Sequence, residues 1–562
     1  MEHPDEVVAA ITVSTPHTPE LEPQHALETP SFAQTGTVFA VLGKAMLGMA
    51  GAYVLRAVAE IGSFPKLAIV ALAIAYAGMW LIYAARAATG HWFASAIYSG
   101  TSALILAPML WELTLRFKFL SPTAAASVLA VYLCVAYGLA WRRNIVSIVW
   151  VAHLTTAIAA ISLFTTTHEL IPFVAVLLVM ALLSENAALR SRWGSVRPVA
   201  AVAADIALWS LIFIYSGPEG SHREYISLTA PALLAPACSL LLIYGTSVVL
   251  RTALQHREIT VFETIQAIIA FLLAADAVIR FAPPTGLTVL AIFCLLTSAA
   301  GYLALFLLFS RPAARRNYQV YALWSAALFL LGSFWSLGPA WLPQIVGAAA
   351  IIITSVAVRT ARLTLAFQGL AYLVAAAFVS SSLQYAAHAL AGAFPEPPFG
   401  LVWAISAAAI LCYIIGGQFS GADWKLRLFR VLSAAIAVGA LASILVSMMV
   451  WLTSAVITPG ASHVAVIRTL GACSLALALA LIGSRWNRVE LIWISYGTLA
   501  LVTAKLLFED LRQGRPEFIA ASIFFYAVTL IMVPRVIRKS SRKPTAQPSV
   551  ESTTAEPVPH PH

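Results

Sequence analysis

The residues of this chain able to do chemistry are ionisable side chains set inside apolar segments. An ionisable group at bilayer depth costs at least about 2.5–3.5 kcal/mol on insertion scales, so each one raises a functional question. Lys44 is the deepest cation, about two helical turns into an apolar run. It is suited to a counter-ion or a substrate headgroup, or else to an acid on another helix or a reach towards the interface. Its neighbours Gly43, Gly48 and Gly51 form a small-residue face that lets helices approach closely. Asp205 also lies well inside its run, with no basic residue at helical spacing. Its partner must come from elsewhere, or its carboxyl is protonated.

Other polar residues come with neighbours at helical spacing. Asp276 and Arg280 stand four apart and pair on one helix face, and Glu112 and Arg116 repeat the arrangement. Lys505 precedes Glu509 and Asp510, so an i,i+4 contact is expected at that helix end. His153 is alone in mid-run and reads as a hydrogen-bonded packing residue. Glu263 and Gln266 open another run, where the membrane interface accounts for them. The candidate intramembrane polar residues are therefore Lys44, Asp205, Asp276, Arg280, Lys505 and Asp510. No catalytic residue, cofactor site or metal site is assigned.

Several chemistries lack their motif. Gly43-Lys44 has no glycine at phosphate-loop spacing, and His168-Glu169 is not followed by the second histidine of a zinc protease. No Gly-x-Ser-x-Gly elbow occurs. Cys134, Cys238, Cys294, Cys412 and Cys473 all fall in apolar runs without Cys-x-x-Cys spacing, as small packing residues do. Residues 1–35 contain no Lys or Arg, so they lack the basic start of a secretory signal.

The elements that must position these residues follow from composition. Hydrophobic residues make up 60% of the 562 and charged residues 10%, against about 45–50% and about 25% in soluble domains. That surface needs a bilayer as its solvent. Apolar segments of about 20 residues recur, each long enough to cross a hydrocarbon core of about 30 Å. About eighteen are expected, from 37–58, 66–85 and 93–115 to 489–508 and 517–534, with short loops and no barrel-type alternation. The expectation is an all-α polytopic membrane protein. It has an acidic disordered tail over 1–35, a helical domain over 36–534, and a basic then Pro/Ser/Thr-rich tail over 535–562.

The net charge of +10 is spread in ones, twos and threes between apolar runs, which argues against nucleic acid as a partner. Placing both termini in the cytoplasm puts most Lys and Arg in alternate loops on the inner side, from Arg86 to Lys543. Trp92, Trp141, Trp193, Trp341, Trp424, Trp451 and Trp486 fall at or near segment ends, where the headgroup region suits an indole.

Two stretches carry a family resemblance. Gly43-Lys44 with Gly48, then Leu55-Arg56-Ala57-Val58-Ala59-Glu60-Ile61-Gly62, Pro65-Lys66, Arg86 and Ser99-Gly100, resembles the opening helices of a bacterial polytopic family catalogued as domain of unknown function 2339. Ala504-Lys505-Leu506-Leu507-Phe508-Glu509-Asp510-Leu511 with Arg515 looks like its closing segment. The tail here is shorter and Pro-containing, and Ser99-Gly100 stands where the family has a double glycine. The resemblance implies an architecture and a bacterial inner-membrane location, but no activity. It draws attention to Lys505 and Asp510 in the closing helices.

Three functions are compatible with this reading. The first is a non-enzymatic structural or envelope-associated protein. The second is a transporter or lipid flippase, in which Lys44, Asp205, Asp276 and His153 would converge near mid-membrane beside broken helices, with Pro108, Pro231 and Pro236 as breakpoints. The third is a transferase on lipid-linked substrates, with acids and arginines gathered at one membrane face. The short loops and missing motifs favour the first. The lipid bilayer is the one partner expected, no cofactor is, and oligomeric state and substrate are left open.

Overall fold

An apolar segment in a bilayer has no water to satisfy its peptide groups, so it closes its hydrogen bonds within itself as a helix. The chain does this throughout. The computed structural model describes residues 32–61, 65–87, 92–218, 224–309, 315–391, 399–419, 424–456, 460–510 and 516–541, and among them there is no strand. The expected tails fall outside these residues except at their helical edges. Among the described residues fifteen helices are long and apolar enough to cross a membrane, or sixteen if one bent pair counts as a span. The protein is an all-α, multi-pass membrane protein.

The first unit comprises Met1–Ser247 with Ile269–Ala274, and the second Val248–Ile268 with Ala275–His562. In the first lie α1 (Phe32–Ile61), α2 (Lys66–Ala87), α3 (Trp92–Trp111), α4 (Pro122–Arg143), α5 (Val146–Thr167), α6 (Leu170–Leu189) and α7 (Arg197–Tyr215). The helix α8 (Ala230–Val249) belongs to it up to Ser247. Helix α5 sits at its centre, packed against α3, α4, α6 and α7. Its Ala152 and Ala160 are fully buried, and small residues such as these allow the close approach that drives packing in lipid.

The second unit holds most of α9 (Val261–Phe281), then α10 (Pro284–Leu307), α11 (Arg315–Ser336), α12 (Leu342–Thr360), α13 (Leu363–Val379) and α14 (Ser382–Ala391). It continues with α15 (Gly400–Gly416), α16 (Trp424–Ser454), α17 (Ala461–Arg485), α18 (Val489–Lys505) and α19 (Pro516–Ser541). Tyr372, Ala350, Ala376 and Ala409 anchor a core shared by α12, α13 and α15. Helices α17, α18 and α19 pack on one another around Ala476, Ala480, Leu499 and Val533.

Each of the eighteen expected segments falls on helix among the described residues, and the differences are local. The segment 363–383 is interrupted after Val379, and the short α14 leaves the axis of α13 at 71°. Ser381 makes the corner with φ of 58°, and the Ser380 and Ser382 hydroxyls bond each other at 2.6 Å. Such side-chain bonds compete with the helix ladder. Helix α15 has only 17 residues, and α11, which opens with Arg315, Arg316 and Asn317, falls short of the apolarity of a span. Helix α19 runs to Ser541 rather than stopping near 534, because Arg535, Arg538 and Lys539 are good helix formers favoured at a C-terminus. Pro108 and Pro236 lie inside continuous helices and Pro231 in the first turn of α8, so none of the three breaks a span.

Three helices end by widening into a π-helical turn: α3 at Glu112–Arg116, α8 at Leu250–Leu254 and α18 at Leu506–Asp510. Each turn carries an ion-pairing residue, and π-turns commonly mark sites where a side chain is re-aimed.

Candidate functional site

Two deeply buried ionisable residues meet where α6 turns into α7. Ser191 and Trp193 take left-handed backbone angles, with φ of 60° and 47°, which reverses the chain within a few residues. Arg197 thereby opens α7 opposite Glu185, twelve positions earlier. The guanidinium meets the carboxylate as a fork, Nε donating to Oε1 at 2.8 Å and Nη2 to Oε2 at 2.7 Å. Both side chains are below 10% exposed. Ser247 of α8 donates a third bond to Glu185 Oε2 at 2.6 Å. A bidentate pair with its remaining lone pairs occupied is the geometry in which buried charges are tolerated.

Around this pair stands a shell of aromatic and polar side chains. Tyr244, one turn before Ser247, is 2% exposed. Its hydroxyl has no hydrogen-bond partner and lies within electrostatic reach of Glu185, Asp205 and Arg197. Tyr137 of α4 meets His153 Nε2 at 3.2 Å, and His153 Nδ1 meets the Val149 carbonyl at 2.8 Å. That carbonyl only accepts, so Nδ1 carries a proton, and Nε2 and the Tyr137 hydroxyl share the second bond. His153 is fully buried and is the hydrogen-bonded packing residue expected of it. Trp193 stacks edge-on against Tyr137 and Trp141 and is 6% exposed, so it belongs to the core rather than the interfacial belt.

A second polar assembly lies in the second unit. Arg468 of α17 is 4% exposed, and its Nη1 donates to Glu509 Oε1 at 2.9 Å. Its Nε reaches the Ala389 carbonyl at 2.9 Å and its Nη2 that of His388 at 3.3 Å. A guanidinium thus caps the C-terminal carbonyls of α14, the short helix beyond the 71° bend. Lys505 stands beside it, donating to the Ala465 carbonyl at 2.8 Å and to Thr469 Oγ1 at 2.9 Å. The expected i,i+4 contact with Glu509 is present at 3.6 Å. Asp510 ends the π-helical turn, and its side chain lies outside the described residues.

A third pair joins Arg251 to Glu263 at 2.5 Å. Glu263 also caps α9 in a reciprocal box with Thr260. It is 2% exposed and Gln266 is 3% exposed, so both are covered by neighbouring protein. The chain before α9 is held by Asn317, which accepts from Ile259 N and donates to the Arg257 carbonyl, both at 2.8 Å.

Of the six candidate residues, Lys44 and Asp205 belong to the first unit and Asp276, Arg280, Lys505 and Asp510 to the second. Lys44 is exposed on α1 and makes no ion pair among the described residues, so it is not a buried lysine facing an acid. Gly48 and Gly51 do face close neighbours, the Trp80 ring and the Tyr76 hydroxyl, whereas Gly43 faces open space. Asp205 is half-buried beside Tyr244 on α7, a helix that does not pack on α1. In the second unit Asp276 and Arg280 pair with each other at 2.7 Å, with both side chains exposed. Glu112 and Arg116 do not pair as an i,i+4 couple. The π-turn rotates them off a common face, and they reach α1 instead, Glu112 to Arg56 at 3.0 Å and Arg116 to Glu60 at 3.1 Å.

Sequence reasoning passed over Glu185, Arg197, Ser247, Tyr244 and Arg468. One signal was available for the pair, since Glu185 is the sole acid in an otherwise apolar run that ends near Leu189. Arg197 reads as an ordinary loop arginine, and the twelve-residue gap has no helical periodicity. Among the described residues no three of His, Cys, Asp or Glu converge as metal ligands. Nor does any protein-family model, curated protein or solved structure match the chain.

Proposed function

We propose that this multi-pass membrane protein has a non-enzymatic, structural role in the bacterial cytoplasmic membrane, with both termini on the cytoplasmic side. One observation carries the reading. Glu185, the most deeply buried acid of the first unit, spends its lone pairs on Arg197 and Ser247. A group closed in this way fixes α6, α7 and α8 to one another and holds no charge ready for a substrate. Arg468 and Lys505 are used similarly, on helix carbonyls, Thr469 and Glu509. A distant relationship to the family of domain of unknown function 2339 is part of the proposal, since Lys505 anchors the closing helices to which that resemblance drew attention.

Transport is the second reading. The corner between α13 and α14 favours it, because broken helices with polar groups at their ends build transporter sites. A transferase has less support: Glu112, Arg116, Asp276 and Arg280 are each occupied in ion pairs.

Replacing Glu185 and Arg197 together by Leu and Met separates the readings in a deletion strain. Apolar residues of similar volume often substitute for a buried pair without loss of stability. The structural role predicts that E185L/R197M restores envelope integrity, measured as resistance to detergent and osmotic shock, at wild-type protein levels. Failure to restore it by a folded protein at those levels would overturn the proposal in favour of a chemical role for the pair.

A further inference from the structure

One end of the first unit is unusual in its charge. The C-termini of α2, α4 and α6 meet there, tied by arginines. Arg143 Nη1 donates to the Ala85 carbonyl at 2.9 Å and Arg192 Nη1 to the Trp141 carbonyl at 2.6 Å. Arg190 and Arg192 lie over the Trp141 ring, 5.2 and 4.7 Å from its centroid. Arg86 and Arg142 complete the group at the ends of α2 and α4. Across the described residues 84–87, 92–95, 138–150 and 183–199 the only acid is Glu185, and it is buried under Arg197.

Capping of helix carbonyls explains Arg143 and Arg192. It does not explain Arg142 and Arg190, which are exposed and make no side-chain hydrogen bond among the described residues. Nor does it use the remaining donors of a guanidinium that has five. We propose that this end is a binding site for the phosphate headgroup of an anionic phospholipid. The guanidiniums supply bidentate donors for phosphate oxygens. Trp141 holds two of them close together, and Trp92, 78% exposed at the start of α3, lies at the same end as an interfacial indole. A basic cluster between helix ends at the bilayer surface selects an anionic headgroup over a zwitterionic one by charge complementarity. The site goes beyond the structural role and does not depend on it.

The test uses the full chain in neutral detergent with phosphatidylglycerol or phosphatidylcholine added, reading bound lipid by native mass spectrometry. Wild-type protein is expected to retain phosphatidylglycerol in preference, and the preference should fall as salt rises from about 50 to about 500 mM. The variant R142Q/R190Q spares both carbonyl caps and should lose about tenfold or more in phosphatidylglycerol affinity. The control R359Q/R485Q removes two exposed charges from the second unit and should lose none. Equal retention of the two lipids by the wild type, an unchanged R142Q/R190Q, or an equal loss in the control would overturn the site. If R142Q/R190Q does not fold, the salt dependence of the wild type decides: a preference that persists at high salt sinks the proposal.

Discussion

Arg468 and Glu509, 41 positions apart, meet at 2.9 Å, and the same guanidinium holds two carbonyls at the end of α14. One side chain therefore ties three elements together: α17, the π-turn after α18, and the short helix beyond the bend. Removing it strands a carboxylate and frees the carbonyls at once.

Arg468→Met is expected to lower the unfolding free energy by about 3 kcal/mol, the low end of the cost of breaking a buried pair. The low end applies because Lys505 still stands 3.6 Å from Glu509. Thermal unfolding in detergent measures the loss. A change below about 0.5 kcal/mol, the range of ordinary surface substitutions, would mean that the guanidinium holds nothing in place.

The buried pair in the first unit is predicted to behave non-additively. Glu185→Leu alone leaves Arg197 buried without its acid and should cost about 3–5 kcal/mol, whereas E185L/R197M should recover most of that. A double-mutant cycle on the unfolding midpoint gives the coupling. Additive losses would show that the two residues act separately.

Packing of α1 depends on glycines of unequal weight. A methyl group at Gly48 would meet the Trp80 ring and one at Gly51 the Tyr76 hydroxyl, which already donates to the Gly48 carbonyl at 2.9 Å. Gly48→Ala should cost about 1–3 kcal/mol through overpacking. Gly43→Ala, facing open space, should be neutral or raise stability by up to about 1 kcal/mol through helix propensity. The reverse order in thermal stability would contradict the seating of α1.

Asp276→Asn and Arg280→Gln are predicted to change stability by under about 0.5 kcal/mol, since their pair is exposed and lies within one helix. A larger effect would point to a partner that the pair meets only in the membrane.

Orientation has its own test. Reporter fusions after residues 90, 195, 313 and 540 should report the cytoplasm, and those after 220 and 390 the opposite side. An outer signal at 313 with an inner one at 195 would break the alternation on which the even count rests.

Helix positions were legible in the sequence because a bilayer imposes one local rule: about 20 apolar residues make a span. That rule involves no distant residue, and the eighteen segments read from it each fall on helix among the described residues. The Lys505–Glu509 contact likewise follows from helical spacing on the chain. The pairing of Arg197 with Glu185, of Arg468 with the end of α14, and of Glu112 with Arg56 was decided only by tertiary structure. Each depends on a left-handed turn, a 71° corner or a π-turn that re-aims a side chain by a fraction of a helical turn. Apolar periodicity is blind to such re-aiming, since the hydrophobic pattern on either side of it is unchanged. Lys44 shows the converse. Sequence makes it the deepest charge of its helix, yet which face of α1 meets the rest of the unit is set by Gly48 and Gly51 against Trp80 and Tyr76, and that packing leaves the lysine outside.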